Sequence, residues 1–300
     1  LSDGSAKCWK DGKYGQLGDG SYGMNNVNGG PVSVSGINTA TSISTGHYHT
    51  CALLSGGTVK CWGRNWNVGI SYYDSMIGSI FDDDGRGGIV TPVLVTGINN
   101  AISVSAGASH SCAVLSGGTV KCWGSGDNGR LGNGSTDLQR TPVLVTGINN
   151  AISVSAGGTH SCAVLSGGTV KCWGNGDNGR LGNGSTDLQY TPVLVTGINN
   201  ATSVSSGVVH TCALLSEGTV KCWGKGYSGQ LGNGSNSDQT TPVSVSGIDN
   251  AISVSSGDTH TCALLSGGTV KCWGYGSFGA LGNGSTNNQN EPVLVHYFKD

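Results

Sequence analysis

Ten of the eleven cysteines form five pairs, and the two members of each pair are ten positions apart. Each pair flanks the same short turn, as in CALLSGGTVKC, and a β-hairpin through this turn would bring the two β-carbons within disulfide range. Zinc binding would need C-x-x-C-like pairs close together, which the chain lacks. The five predicted disulfides are Cys51–Cys61, Cys112–Cys122, Cys162–Cys172, Cys212–Cys222 and Cys262–Cys272. Because disulfides at this density are typical of secreted proteins, we predict an extracellular or cell-surface location.

Five histidines share one motif, G-x-x-H-[ST]-C, at His49, His110, His160, His210 and His260. A single metal ion would need several of their ring nitrogens within about 2.0–2.1 Å of it. Because each copy of the motif contributes only one histidine, we expect these nitrogens to lie far apart. We therefore interpret each imidazole as fastening its own turn through hydrogen bonds to backbone groups. The sequence has no G-x-S-x-G elbow and no other set of nucleophile, base and orienting group. We predict no catalytic residue, no metal and no cofactor.

This motif is part of a longer repeat that must position its residues. The tryptophans Trp123, Trp173, Trp223 and Trp273 are 50 residues apart, and Trp9 and Trp62 begin two irregular copies. Short β-rich runs such as T-V-K-C-W, P-V-L-V and A-I-S-V-S are bounded by Gly, Asn or Ser, which predicts four strands per copy. The pattern indicates an all-β fold, a β-propeller of four-stranded blades, and a β-solenoid is the alternative. The K-C-W-G tryptophans would then pack between blades.

Two strings in the chain, WGNGDNGRLGNG and SVSAGGTHSCAVL, resemble the signature stretches of the regulator-of-chromosome-condensation repeat family. The resemblance covers nearly the whole chain and implies a propeller, usually of seven blades. It implies a single domain with repeats at about residues 1–36, 37–97, 98–147, 148–197, 198–247 and 248–300.

By the same likeness five blades are complete, and residues 1–34 supply only the outer two strands of another. We therefore expect a native ring of six or seven blades. We also expect the protein to extend upstream of Leu1, because the partner of Cys8 would fall there.

The composition limits the classes of partner. Glycine accounts for 54 of the 300 residues, which implies many tight turns. Charged residues are only 11 % of the chain and the net charge is −2, so no basic patch can neutralise a run of phosphates. No apolar run approaches the roughly 20 residues that span a bilayer. We predict neither nucleic-acid binding nor membrane insertion.

Two adjacent copies are nearly identical, and their differences indicate where the chain varies. Residues 101–150 and 151–200 differ at four positions, Ala108/Gly158, Ser109/Thr159, Ser125/Asn175 and Arg140/Tyr190. All four fall in predicted turns or at a strand edge, and other copies carry aromatic residues at similar places. Aromatic side chains are favoured anchors in interfaces. The predicted binding residues of this loop face are Tyr48, Trp66, Tyr72, Tyr73, Phe81, Tyr227, Tyr275 and Phe278.

The second copy is the most irregular. It has eleven more residues between Trp62 and Pro92 than the standard copy, and several of them are aromatic or aliphatic. We predict that this insertion contacts a partner, and a self-packed cap is the alternative. Asp74 and the run 82–84 could bind calcium, but a solvated acidic loop is favoured because their spacing is not that of an EF-hand.

Five asparagines begin N-x-[ST] sequons, Asn133, Asn183, Asn200, Asn233 and Asn283. In a eukaryotic secretory pathway they would be candidate glycan acceptors. Asn-Gly also forms left-handed turns, and this property explains the recurrence of the four N-G-S sites without sugar.

These features favour a protein-interaction propeller outside the cell, for example an adhesin or a component of a surface assembly. We expect a protein partner or self-assembly. An enzyme inhibitor and a glycan-binding lectin are the alternatives. A GTPase exchange factor, as the family resemblance would suggest, requires a reducing compartment that the cysteine pairs contradict. We predict that the chain is not an enzyme.

Overall fold

The computed structural model describes residues 1–23, 30–64, 79–80 and 87–296. The regular structure of these residues is 23 strands and a few three-residue 3-10 turns, in agreement with the predicted all-β class. The chain divides into two compact units, Leu1–Asp127 with Leu131–Asn150, and Asn128–Arg130 with Ala151–Asp300. We call the antiparallel sheet of one repeat a blade.

The first unit begins with a half-blade, in which β1 (Lys7–Cys8) pairs with β2 (Val32–Ser33). The strands of the second blade are β3 (Ala40–Thr45), β4 (His49–Leu54), β5 (Val59–Arg64), β6 (Ser79–Ile80) and β7 (Gly88–Leu94). Their order is β3-β4-β5-β7-β6, so the insertion adds a fifth strand that the repeat pattern did not predict. The third blade contains β8 (Ala101–Ala106), β9 (His110–Leu115), β10 (Val120–Gly124) and β11 (Gln139–Leu144).

The second unit contains three regular blades. The strands of the fourth blade are β12 (Ala151–Ala156), β13 (His160–Leu165), β14 (Val170–Gly174) and β15 (Gln189–Leu194). Those of the fifth are β16 (Ala201–Ser206), β17 (His210–Leu215), β18 (Val220–Gly224) and β19 (Gln239–Ser244). Those of the sixth are β20 (Ala251–Ser256), β21 (His260–Leu265), β22 (Val270–Gly274) and β23 (Gln289–Leu294). Each of these three blades is a meander of sequential neighbours, which rules out the solenoid alternative.

The hairpin between the second and third strands carries the cysteines. In the fourth blade the register of β13 and β14 sets Cys162 directly opposite Cys172, and the other blades repeat this pairing. The structure joins all five predicted pairs, with sulfur–sulfur distances of 2.05 to 2.13 Å. Cys8 is free, as the spacing predicts.

Hydrophobic cores lie between consecutive blades of a unit. In the second unit one core joins Val170 and Leu181 of the fourth blade to Trp223 of the fifth. The Trp223 indole is fully buried and donates a hydrogen bond from Nε1 to the Arg180 carbonyl at 3.0 Å. A β-carbon on Gly182 would lie 2.7 Å from that indole nitrogen, so only glycine permits the contact. The predicted packing of tryptophan between blades is therefore confirmed within each unit.

Candidate interaction surface

Each blade has one end where the sequence varies. In a four-stranded meander, the connection of strands one and two and that of strands three and four lie at the same end of the sheet. We call this end the variable edge. It holds the G-x-x-H turn and the turn after W-G, which are joined by a backbone hydrogen bond in each complete blade. The donor and acceptor pairs are Arg64 to Tyr48, Ser125 to Ser109, Asn175 to Thr159, Lys225 to Val209 and Tyr275 to Thr259, at 2.8 to 3.0 Å.

The four differences between the two near-identical copies all map to this edge. In the fourth blade Gly158 and Thr159 form the G-x-x-H turn, and Asn175 donates its backbone N–H to Thr159. Tyr190 lies near the start of β15, where its α-carbon would be 2.8 Å from a β-carbon on Gly129. The contact places Tyr190 against the turn of the preceding repeat. The variation between these two copies thus lies at the variable edge of each blade, whereas the sequence alone indicated only that it fell in turns or at a strand edge.

The predicted aromatic residues differ in their placement. Tyr227 is 75 %, Tyr275 39 % and Phe278 99 % exposed, and all three lie in W-G-x-G turns of the variable edge. Tyr190, which was absent from the predicted binding set, is 45 % exposed on the same edge. Four of the predicted binding residues lie outside the described residues, Trp66, Tyr72, Tyr73 and Phe81.

Phe278 combines full exposure with an unfavourable backbone conformation. Its φ is +59°, in the left-handed region. Asn128 and Asn178 occupy the equivalent place with φ of +60° and +59°. Asparagine adopts this conformation more readily than a bulky side chain, which pays a steric cost of about 1–3 kcal/mol. Neither burial nor backbone preference accounts for phenylalanine here, which makes Phe278 the strongest candidate for a contact residue.

Tyr48 belongs to a cluster in the first unit that sequence reasoning found only in part. Its ring packs edge-to-face on Tyr14, with 5.4 Å between centroids, and is half-buried. The Arg64 guanidinium lies 5.1 Å from the Tyr48 ring and 5.2 Å from the Tyr14 ring. The Lys13 ammonium lies 5.1 Å from the Tyr14 ring. A comparison of the copies could have found these two cations. In the two near-identical copies serine or asparagine occupies the position of Arg64, and aspartate occupies the position of Lys13.

His49, His160 and His210 bond hydroxyl groups of the next blade and not the backbone of their own turns, so the prediction was wrong for these three. His160 Nε2 lies 2.8 Å from the Thr211 hydroxyl of the next blade, and His210 Nε2 lies 2.8 Å from Thr261. His49 makes the same contact with Ser111 at 2.7 Å. The His160 ring packs against Gly157 of its own turn, where an added β-carbon would lie 2.8 Å from Cε1, but its Nε2 reaches a buried hydroxyl of the adjacent blade. These three histidines therefore join consecutive blades.

The hydroxyl contacts determine where the imidazole proton lies. Thr211 donates its single hydroxyl proton to the Arg180 carbonyl at 3.0 Å, so it can only accept from His160. The proton of neutral His160 is consequently on Nε2, and Nδ1 is buried without a hydrogen-bond partner among the described residues. Burial lowers the pKa of His160 from 6.5 to about 3, and nearby Arg180 adds to the effect. His49 and His210 show the same lowering of the pKa, again chiefly through burial.

Buried arginines hold the variable turns in place. Arg180 donates from Nη1 to the Thr159 hydroxyl at 2.9 Å and to the Val208 carbonyl of the next repeat at 3.3 Å. Burial lowers its pKa, and Asp177 and Asp238 partly oppose that shift. Arg130 likewise donates to the Gly158 carbonyl at 3.3 Å. These bonds fix the G-x-x-H turns of the fourth and fifth blades.

The remaining predicted sites have little structural support. Asp74 and residues 82–84 lie outside the described residues, and no metal-binding group of three or more His, Cys, Asp or Glu occurs in the part that is described. In the N-G-S sequons the asparagine Oδ1 accepts the backbone N–H of the serine, as for Asn183 and Ser185 at 3.2 Å. This geometry is the turn that the sugar-free alternative predicts, and glycosylation stays a prediction. No described helix is long and apolar enough to cross a bilayer.

Comparison with known proteins identifies the family. The family model described as the RCC1-like domain matches residues 1–300. The chain belongs to the RCC1-like family. The RCC1-like chain is similar in structure to Prp20p from Saccharomyces cerevisiae, with a TM-score of 0.82, 19 % identity and coverage of 99 % of this chain and 74 % of that one. This likeness confirms the β-propeller fold.

Sequence relatives match only parts of the RCC1-like chain. It is 36 % identical to the protein pim1 of Schizosaccharomyces pombe over 99 residues, which are 32 % of this chain and 18 % of pim1. It is 30 % identical to the human E3 ubiquitin-protein ligase HERC2 over 142 residues, which are 46 % of this chain and 3 % of HERC2. The chain thus covers less than a fifth of the length of these relatives, and their activities do not transfer to it directly.

Proposed function

We propose that this RCC1-like chain is an extracellular or cell-surface protein-interaction module that binds a protein partner through its variable edge and is not an enzyme. The observation that carries the proposal is that the four differences between the two near-identical copies lie at the variable edge of the blades, where the exposed aromatic residues Tyr190, Tyr227, Tyr275 and Phe278 also lie. Aromatic anchors on a rigid surface are typical of interfaces, because little conformational entropy is lost when they bind. Prp20p, with its described binding properties to Gsp1p and histones, is a precedent for protein binding by this fold.

The location rests on the cysteines. The two cysteines of each pair lie on adjacent strands of one hairpin. In the fourth and fifth blades these cysteines have no exposed surface, as for Cys162, Cys172, Cys212 and Cys222. Disulfides persist in oxidising compartments and are rare where glutathione keeps thiols reduced. This argues against a nuclear or cytosolic exchange factor. Non-reducing peptide mapping of protein from its native source tests the location, and free thiols at these positions would overturn it.

Residues borrowed from other copies test the binding edge without disturbing the fold. The test variant combines Tyr190→Arg, Tyr227→Asp and Phe278→Asn, since Arg140, Asp177 and Asn178 hold the equivalent places. Partners are captured by cross-linking at the surface of intact source cells and identified by mass spectrometry. The triple variant should lower the affinity for a partner at least about tenfold, because interface hot spots contribute about 2 kcal/mol or more each.

The matched control is Glu217→Gly, which copies Gly167 and lies in the hairpin turn at the opposite end of the fifth blade. It should leave binding unchanged. Equal binding by the wild type and the triple variant would refute the variable edge as the binding surface. Loss of a partner's catalytic activity on binding would identify an enzyme inhibitor, and loss of capture after glycan removal would identify a lectin.

A further inference from the structure

Two tyrosines and two cations meet on the variable edge of the first unit. The rings of Tyr14 and Tyr48 pack edge-to-face, with 5.4 Å between centroids and 84° between planes. The Arg64 guanidinium lies 5.2 Å from the Tyr14 ring and 5.1 Å from the Tyr48 ring, and the Lys13 ammonium lies 5.1 Å from the Tyr14 ring. We call these four residues the cation–tyrosine cluster. It brings two positive charges and two phenol rings to one place.

Other copies of the repeat carry different residues at these four places. In the third blade they are Asp127, Asn128, Ser109 and Ser125, and in the fourth they are Asp177, Asn178, Thr159 and Asn175. The fifth blade has one cation and one ring there, and the sixth has two rings. Among the described junctions, only this one combines two cations with two rings. Changes on two separate segments of the chain thus converge on one spot.

Backbone hydrogen bonds already hold the two turns that carry the cluster. The Arg64 N–H donates to the Tyr48 carbonyl at 2.8 Å, and the Tyr14 N–H donates to Gln16 Oε1 at 2.7 Å. The Gln16 carbonyl accepts the indole N–H of Trp62 at 2.9 Å, and Trp62 is fully buried in the second blade. The junction is therefore fixed by groups other than the side chains of the cluster, which leaves these side chains available for recognition.

The cluster has the chemistry of a carboxylate site. Because the two rings are nearly perpendicular, the plane of the Arg64 guanidinium can be parallel to one of them at most. A guanidinium that stacks on a ring directs its N–H groups along its edge, where they match the two oxygens of a carboxylate. Each phenol hydroxyl adds a donor. Asp11, the acidic residue nearest to Lys13 in sequence, accepts the Lys13 backbone N–H at 2.8 Å, and Lys13 and Arg64 outweigh its single charge.

The surroundings favour a short acidic segment over a long polyanion. A polyanion is held by cations that follow one another along a track. On the same edge of the third blade, the position of Lys13 is taken by the exposed carboxylate of Asp127, and Asp137 is exposed in the same loop. These carboxylates would repel the continuation of a polyanion. One or two carboxylates beside an aromatic or aliphatic side chain match the compact cluster.

We propose that the cation–tyrosine cluster binds an Asp or Glu side chain in an acidic segment of the protein partner. The carboxylate pairs with Arg64 and Lys13, and neighbouring side chains of the segment pack on the rings of Tyr14 and Tyr48. This inference rests on the proposed function, because it names the chemistry of a partner at the variable edge. Such charge pairs at an interface set both the choice of partner and the rate of association.

A phage-displayed library of random dodecapeptides is the probe. The library is first depleted on the full chain with Lys13→Asp and Arg64→Ser and is then selected on the wild-type full chain. Both substitutions copy the third blade, where Asp127 and Ser125 hold these places, so the fold should tolerate them. Depletion removes peptides that bind elsewhere on the chain. The selected peptides should be enriched in Asp and Glu. A selected peptide with each Asp changed to Asn and each Glu to Gln should bind at least tenfold more weakly.

Titration calorimetry with one selected peptide then separates recognition from stability. Lys13→Asp alone should lower the affinity at least tenfold and leave Tm nearly unchanged, because the Lys13 side chain is exposed. Tyr48→Ser, which copies Ser109, should also weaken binding, whereas Arg64→Lys should keep most of it. The matched control is Arg140→Tyr, which copies Tyr190 and removes a cation from the same edge of the third blade. It should leave the affinity unchanged.

The proposal is overturned if no peptide is enriched, if the selected peptides have no acidic excess, or if Lys13→Asp binds as tightly as the wild type. A lower Tm with unchanged affinity would show that the cluster only stabilises the junction. Alginate, a polymer of uronic acids, is the second probe. Alginate binding that Lys13→Asp removes, without selection of acidic peptides, would identify an acidic glycan and overturn the protein segment.

Failure of this inference is distinguishable from failure of the proposed function. The binding edge is tested by Tyr190→Arg, Tyr227→Asp and Phe278→Asn against the natural partner. None of these residues belongs to the cation–tyrosine cluster. A partner lost by the triple variant but bound equally by the wild type and Lys13→Asp would support the variable edge and refute the cluster.

Discussion

The hydroxyl between blades is the most informative position to perturb. Thr211→Val keeps the shape of the side chain but removes one acceptor for His160 Nε2 and one donor to the Arg180 carbonyl. In this variant the Arg180 carbonyl still accepts a hydrogen bond from the Trp223 indole at 3.0 Å. The main loss is therefore the acceptor of the His160 imidazole N–H, which is completely buried. A buried donor without an acceptor costs about 1–3 kcal/mol. At this chain length each kcal/mol corresponds to roughly 2–4 °C in Tm. We therefore expect a Tm lower by about 2–12 °C, or about 4–8 °C at a cost of roughly 2 kcal/mol.

Thr211→Ser is the matched control, because Ser111 and Ser161 occupy the same position in other blades. It keeps both hydrogen bonds and loses one methyl group, which is worth about 0.8 kcal/mol when buried. Calorimetry and circular dichroism measure Tm, and a double-mutant cycle with His160→Leu measures the coupling, which should reach about 1 kcal/mol or more. The reasoning is refuted if the valine variant is as stable as the serine variant, or if the cycle is additive.

Three further predictions concern pH, backbone strain and the disulfides. His49, His160 and His210 bind a proton below about pH 6.5 in the unfolded chain but only below about pH 3 in the folded one. The free energy of unfolding should therefore decrease as the pH decreases between these values, by up to about 1.4 kcal/mol per pH unit for each histidine. Urea midpoints from pH 7 to 4 measure this slope; His210→Gln should flatten it, and an unchanged slope would contradict the burial argument. Phe278→Asn should raise the free energy of unfolding by about 1 kcal/mol, because asparagine tolerates the left-handed backbone; a lower Tm would show that the phenylalanine is stabilising. Replacing Cys212 and Cys222 together by alanine should cost about 3 kcal/mol or less for a ten-residue loop, measured by urea unfolding, and no loss would contradict the pairing.

The fold could be predicted from the sequence because its repeat is local. Period-two runs bounded by Gly, Asn and Ser determine four strands per copy, and a spacing of ten around one turn determines which cysteines meet. These features depend on neighbours along the chain. The fifth strand of the second blade was missed because its two residues lie in the insertion, where no repeat pattern indicates pairing.

The tertiary structure decided what the recurring side chains do. Each histidine was predicted to bond backbone groups of its own turn, but the hydrogen-bond partner of His160 and of His210 is a hydroxyl 51 positions away. The four differences between copies were scattered along the sequence, and sheet topology brings them to one edge. A motif determines local geometry, whereas the partner of a buried polar group depends on which blade packs beside it. For that reason the sequence by itself determined the strands, the disulfide register and the family, whereas the topology of the sheets determined the variable edge and the packing of blade on blade determined the histidine network.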